Sequence, residues 1–182
     1  MKHFFLSMIL CVIGNIDLGQ NSPKEISPEI LKKIKAEVEA QIPMLKLKLS
    51  KQELNADEIE FKIDTFRIET IASKRMEIDY STRGMNTTID ELTTSYDKLM
   101  NKYYGKFIKL LKPEDKKILI TAQKAWLVFR DAELKLIGTM TNEQYSGGGT
   151  IQSNIRMSQY SSLVVERTIA IFNHYNRILK DQ

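Results

Sequence analysis

The chain has 182 residues, 42% of them hydrophobic and 27% charged, which fits one soluble domain or one domain with a helical extension. Eight glycines and four prolines supply few turns, and this scarcity favours a few long helices over many short strands. The net charge is +4, and the single cysteine, Cys11, lies near the N-terminus, so a chain cleaved after it has no disulfide and no cysteine nucleophile or metal ligand.

Residues 1–19 have the pattern of a secretory signal peptide. Lys2 precedes an apolar stretch at 4–13 that is too short to span a bilayer, and no later apolar run is long enough for a span. Bulky Leu10 stands where lipoprotein cleavage needs a small residue, which disfavours lipidation at Cys11. We predict a periplasmic or secreted protein with no transmembrane segment in the mature chain. A buried N-terminal helix is the alternative interpretation.

Helix-start signals mark the first two predicted helices. Pro28 stands at the first position of one helix, and Pro43 is expected to kink or end it. The segment NADE from Asn55 to Glu58 is a capping box that begins a second helix. The alternation of apolar residues at 59–63 also permits a short strand, but charged neighbours and missing turn signals favour helix.

Three further helices are predicted downstream. A capping box from Thr88 to Glu91 opens the third, Pro113 begins the fourth, Gly138 ends it, and Thr150 caps the last. The expected fold is all-α, an antiparallel bundle of about five helices. On the fourth helix the predicted core face consists of Ile118, Ala122, Ala125, Phe129, Ala132 and Leu136.

The residues that carry enzyme chemistry are scarce. His174 is the only histidine after the leader, and neither a GxSxG nor an HExxH motif is present. The glycines at 147–149 lack the Lys-Ser/Thr of a phosphate loop. We therefore predict no catalysis, no cofactor and no metal site, and we expect no nucleic-acid partner. A hydrolase with paired carboxylates is the alternative, although no spacing singles out a pair.

The side chains of Gln123, Trp126 and Arg130 share one side of the fourth helix. A tryptophan beside an arginine and an amide is typical of a binding hot spot. The same residues also fit a core tryptophan flanked by a structural ion pair. The sequence leaves both interpretations open.

Two motifs resemble the LprI-type lysozyme-inhibitor family. YDKLMNKYY resembles its D-x-x-L-N-x-x-Y element through Asp97, Asn101 and Tyr104. QKAWLVFRDAE resembles its Q-[RK]-x-W-[LIV]-x-[YF]-R-D-A-E element, carried by Gln123, Trp126, Phe129, Arg130, Asp131 and Glu133. SGGGT is similar to its glycine-pair turn, and Arg167 fits its late arginine. The resemblance covers residues 85–180.

The resemblance implies an exported helical protein that binds and inhibits lysozyme. Together with the signal-peptide pattern, it divides the chain into a leader at 1–19, a helical extension at 20–84 and a family domain at 85–182. The family commonly has a cysteine where this chain has Leu134, so we expect core packing there to replace the lost disulfide. Common lysozymes are basic, as is this chain, so an acidic patch around 53–64 would have to steer the two together.

We therefore predict an exported, non-enzymatic binding protein whose partner is a lysozyme-like cell-wall hydrolase or another envelope protein. Its contact residues are predicted to be Gln123, Trp126, Arg130, Asp131, Tyr145, Gly147, Gly148 and Gly149. An envelope scaffold that docks a partner through residues 22–84 is the alternative function.

Overall fold

A computed structural model describes residues 22–180, and this part of the chain is all-α, as predicted. It contains five long helices and one single-turn helix: α1 Pro28–Leu49, α2 Ala56–Ile78, α3 Thr82–Leu110, α4 Pro113–Met140, α5 Glu143–Ser146 and α6 Ile151–Lys180. The strand alternative at 59–63 is wrong, because these residues lie within α2. The predicted leader at 1–19 lies outside the described residues. None of the helices described is long and apolar enough to cross a membrane.

Local capping chemistry accounts for where several helices begin. Ser27 accepts a hydrogen bond from the Ile30 backbone N–H at the start of α1. At α2 both halves of the capping box are formed, since Asn55 accepts from the backbone of Glu58 and Glu58 accepts from the backbone of Asn55. Pro113 stands at the first turn of α4. These predicted starts are confirmed.

Two predicted boundaries are wrong, and so is one of the two outcomes expected at Pro43, namely that the helix ends there. α3 begins at Thr82 instead of Thr88, because the Ser81 hydroxyl already caps the backbone N–H of Gly84 at 3.0 Å. α4 continues past Gly138 to Met140. α1 does not end at Pro43. An interior proline costs a helix about 3 kcal/mol, and we attribute the continuation to packing on both sides of it.

The main core lies between α3 and α6, which pack against each other along much of their length. Its most buried side chains come from these two helices: Tyr96, Met100, Tyr103, Val164 and Ile171. From α2, the Phe61 ring stacks on that of Phe172, with centroids 3.8 Å apart. α2 therefore contributes to the same core as the two central helices.

A second, smaller cluster joins α1 to α2. Its buried members are Ile42, Leu49 and Ile63. They belong to a group separate from the main core, so α1 is held mainly by α2. The N-terminal helix pair therefore has its own apolar contact, while its second helix also packs on the rest of the molecule.

The predicted core face of α4 is wrong. Ile118 is 68% exposed, Phe129 52% and Leu136 51%, and the alanines between them are exposed as well. α4 instead buries Leu119 and Ile137. Since α3 and α6 already cover each other, only one side of α4 meets the bundle, and that side holds the large Trp126 ring.

Candidate functional site

A groove of about 260 Å³ runs between α3 and α4. Its α3 side carries Asp97, Asn101 and Tyr104, whose spacing of four and three residues puts them on one side of the helix. Its α4 side carries Gln123. The groove is completed by Met100, Ile120, Lys124 and Leu127. Two sequence motifs that are about twenty residues apart therefore meet in one surface feature.

Polar groups at the groove are held in place by short-range hydrogen bonds. The Asn101 side-chain amide donates to the backbone oxygen of Asp97 at 2.9 Å and to its carboxylate at 3.1 Å. Asn101 itself is exposed, so these bonds orient it at the surface without burying it. The Gln123 amide nitrogen lies 3.7 Å from the Met100 sulfur. The groove thus offers amide and carboxylate groups next to apolar side chains.

Behind the groove, α4 is joined to α6 by a group of three long side chains. The Trp126 ring lies 5.4 Å from the Arg130 guanidinium and 5.8 Å from that of Arg167. Arg167 donates from Nε to the Gln123 side-chain oxygen at 2.9 Å. Burial lowers the pKa of Arg167 from its ordinary value. Contacts of this kind between cations and tryptophan are worth about 0.5–2 kcal/mol each.

Among the other predicted site residues on α4, Asp131 is exposed, whereas Arg130 and Glu133 are partly buried. Arg130 pairs with its neighbour Asp131 at 2.8 Å, and the Asp131 side chain is 62% exposed. The structure thus brings Gln123, Trp126, Arg130 and Arg167 together, with Asp131 at the surface beside them.

Tyr145 and the three glycines lie at the far end of α4. Gly147, Gly148 and Gly149 all have positive φ angles, at 76°, 80° and 92°. Met140 ends α4 fourteen residues beyond Trp126, which is about 21 Å at the helical rise of 1.5 Å per residue. The structure therefore separates this loop from Trp126 and Arg130. Tyr145 is 56% exposed.

The acids expected to form a steering patch are paired with lysines. Lys106 of α3 lies 2.6 Å from both Asp57 and Glu60, and Lys102 lies 2.6 Å from Asp64. The hydrogen bond from Lys106 lowers the pKa of Glu60. These pairs join α2 to α3, so the charge of this region is largely balanced within the molecule.

Leu134, at the position where the family commonly has cysteine, is 39% exposed. The expectation that Leu134 packs in the core is therefore wrong. The buried aromatic cluster lies elsewhere, in α2, α3 and α6, where the Tyr103 ring is 4.9 Å from that of Phe172.

A second cavity, of about 320 Å³, lies beside the start of α3. It contains two arginines, Arg75 and Arg83, and two acids, Glu25 and Asp79. Asp79 accepts hydrogen bonds from the backbone and hydroxyl of Ser81, at 3.2 and 2.6 Å. Buried Arg75 pairs with Glu91 of α3. The buried charged groups here hold the junction of α2 and α3.

The groove-lining residues Met100, Ile120, Lys124 and Leu127 were not predicted as site residues. All four occur within or beside the two motifs, and on each helix they fall at the same three- and four-residue spacing as the motif positions. The spacing could therefore have identified these residues as neighbours of the motif positions. It could not show that they line a groove, because that depends on α3 and α4 packing side by side.

Comparison with known proteins confirms the resemblance seen in the two motifs. A family model described as "Lysozyme inhibitor LprI" matches residues 72–170, which is more than half of the 182-residue chain. The matched region contains all eight groove-lining residues. No curated protein and no solved structure matches the chain.

Proposed function

Because the chain belongs to the lysozyme inhibitor LprI family, we propose that it is an exported, non-enzymatic protein that inhibits a lysozyme-type cell-wall hydrolase by binding to it. The groove between α3 and α4 forms the centre of the contact. One observation carries this proposal: the family-motif residues Asp97, Asn101, Tyr104 and Gln123 line a single open groove.

The groove suits recognition of a protein segment. Asn101 and Asp97 supply a hydrogen-bond donor and acceptors at its rim, and Met100 and Leu127 supply apolar surface. Hydrogen-bonding groups placed next to apolar surface are typical of sites that bind a peptide loop. Packing within the molecule does not account for Asn101, whose side chain is exposed.

The contact extends beyond the groove, since a typical protein interface covers about 800 Å² on each partner. We assign Trp126 and Arg130 the role of holding α4 in position, and Asp131 that of a surface contact beside them. Tyr145 and the glycine turn at 147–149 form a second contact region at the end of α4. A glycine turn lets another backbone approach closely.

Charge steering contributes little to this association. The net charge is +4, and the acids of α2 are already paired with Lys102 and Lys106. A basic hydrolase is therefore not attracted over long range, and affinity comes from contact at the groove.

A lysis assay with a panel of lysozyme-type hydrolases tests this proposal. We expect the purified mature chain to slow lysis of cell-wall substrate in proportion to the complex formed. Tyr104→Ala and Asn101→Ala should each raise the inhibition constant about tenfold, equivalent to about 1.4 kcal/mol. Lys109→Ala, an exposed change on α3 outside the groove, is the matched control. Undiminished lysis by every hydrolase at large molar excess would remove the inhibitor function.

An envelope scaffold is the second candidate function, and α1 supplies the observation that favours it. Met44 is 78% exposed and Leu47 60%, so α1 presents apolar side chains to a partner. Pull-down from an envelope extract with Met44→Glu or Leu47→Glu tests this role. The scaffold function is supported if the wild type captures a protein that both variants fail to capture, and if the wild type does not slow lysis. Deleting residues 22–84 is a poorer test, because it removes Phe61 from the main core.

A further inference from the structure

The exposed apolar stripe of α4 has the spacing of a helix-pairing surface. Its members, here called the α4 seam, are Ile118, Ala122, Ala125, Phe129, Ala132 and Leu136. Steps of four and three residues alternate along it, as they do between the a and d positions of a heptad repeat. Side chains at this period stay on one line when two helices wrap around each other. The three large side chains of the seam are each more than half exposed.

The sizes of the seam side chains also fit a helical partner. Alanine at three of the six positions leaves room for a second helix to come close, and Phe129 is large enough to fill the space beside an alanine. Nothing in the described bundle covers this side, since α4 turns Leu119 and Ile137 to the core instead. We propose that the α4 seam pairs, antiparallel, with the α4 seam of a second copy of this chain.

One register of the antiparallel pair matches both shape and charge. With Ala122 opposite Ala125 of the partner subunit, Ile118 faces Phe129 of the partner subunit. The flanking charges then pair, because Glu114 faces Lys135 of the partner subunit. Two-fold symmetry repeats each pair. In this register, a Glu114–Lys135 pair lies at each end of the paired part of the seam.

The parallel arrangement lacks this match. In a parallel pair the residue at a flanking position faces one five places further along the partner helix. Lys135 would then face Met140 of the partner subunit, and Glu114 would face Leu119 of the partner subunit. Neither charge would find an opposite one, so the charges select the antiparallel orientation.

The charged groups required are accessible. Lys135 is exposed. Glu114 pairs with Lys117 at 3.3 Å, but their side chains are 80% and 79% exposed. This ion pair therefore contributes little to stability, and Glu114 can exchange Lys117 for Lys135 of the partner subunit.

The contact between the two seams is short. In the register above, the seam positions that face each other lie between Ile118 and Phe129, about 17 Å of helix. One helix pair of this length buries less than the roughly 800 Å² per partner of a standard interface. We therefore expect a reversible dimer, independent of the inhibitor function proposed above.

Sedimentation equilibrium of the mature chain, from micromolar to near-millimolar concentration, tests the proposal. We expect a monomer–dimer equilibrium. Phe129→Asp should raise the dimer dissociation constant at least about 100-fold, as expected for a central interface residue. Met44→Asp, a matched change at an exposed apolar residue of α1, should leave it unchanged. Circular dichroism of each variant shows that helix content is retained, so that unfolding is not mistaken for dissociation.

A charge swap tests the register. Glu114→Lys alone and Lys135→Glu alone should each weaken the dimer several-fold, and the double variant should restore it. Lys124→Glu, off the seam, is the control. A chain that stays monomeric throughout, or a dimer insensitive to Phe129→Asp, overturns the proposal. A dimer lost with Phe129→Asp but not restored by the swap overturns the antiparallel register.

Discussion

Arg167 of α6 donates a 2.9 Å hydrogen bond from Nε to the side-chain oxygen of Gln123 on α4. The same guanidinium lies beside the Trp126 ring, so one cation joins two side chains of α4 to α6. α4 has few buried side chains of its own, and only Leu119 and Ile137 count among them. This contact therefore helps to set where α4 stands, and with it the width of the groove beside α3.

Replacing Gln123 by leucine should lower the free energy of unfolding by about 1–3 kcal/mol, because Arg167 is left partly buried without its acceptor. Gln123→Glu keeps an acceptor and adds an opposite charge, so it should be at least as stable as the wild type at neutral pH. Urea unfolding followed by Trp126 fluorescence measures both. Lys124→Leu, an exposed neighbour, serves as control. Equal losses for the leucine and glutamate variants would show that the hydrogen bond is unimportant.

Acid should weaken the contact between α2 and α3. The hydrogen bond from Lys106 lowers the pKa of Glu60 in the folded chain, so the unfolded chain binds more protons in acid. The stabilisation by Glu60 is thus complete above its unfolded pKa of about 4.3, and is lost as pH falls through the lower folded value. Because the Glu60 side chain is 44% exposed, we expect less than about 1 kcal/mol.

Thermal unfolding between neutral pH and pH 3 measures this effect. Glu60→Gln should be less stable than the wild type at neutral pH and should show a smaller loss on acidification. Glu53→Gln, at an exposed glutamate just before α2, should follow the wild type. Parallel pH profiles for Glu60→Gln and the wild type would contradict the prediction.

Two glycine substitutions should have opposite effects on stability. Gly138 lies inside α4, and an added Cβ there meets nothing within 4 Å, so Gly138→Ala should stabilise by about 0.5–1 kcal/mol. Gly147 ends α5 with a φ of 76°, a left-handed conformation that costs an alanine about 1–2 kcal/mol. Gly147→Ala should therefore destabilise. Melting temperatures that shift in the same direction for both would show that backbone conformation does not decide their effect.

Association with a basic hydrolase should be slow and only weakly dependent on salt. Without charge steering, association rate constants of proteins are about 10⁵–10⁶ M⁻¹ s⁻¹. The net charge of +4 gives no attraction to a basic partner. Stopped-flow or surface-binding measurements at low and high salt give the rate. A steep fall in rate with added salt would instead reveal an acidic contact surface. Lys106→Met, which frees Asp57 and Glu60, should raise the rate at low salt.

Several features of this molecule were predictable because they depend on residues close together in the chain. The starts of α1, α2 and α4 follow from Ser27, the Asn55 capping box and Pro113, since each cap is satisfied within one turn. The prediction that α3 begins at Thr88 was wrong. A capping box of four residues does not show whether the helix has already begun upstream, and here Ser81 is its N-cap. The family motifs were also recognisable, because they are contiguous segments.

The sequence alone determined that this chain is helical, where several of its helices begin, and which family its motifs resemble, because capping and helical periodicity act over a few residues. Only the tertiary structure decided which side of α4 is buried. α4 has apolar residues on two sides, the seam with Phe129 and the side with Leu119 and Ile137. The choice between them depends on surfaces of α3 and α6 that lie far away in the chain. The same packing brings Tyr104 and Gln123 to one groove.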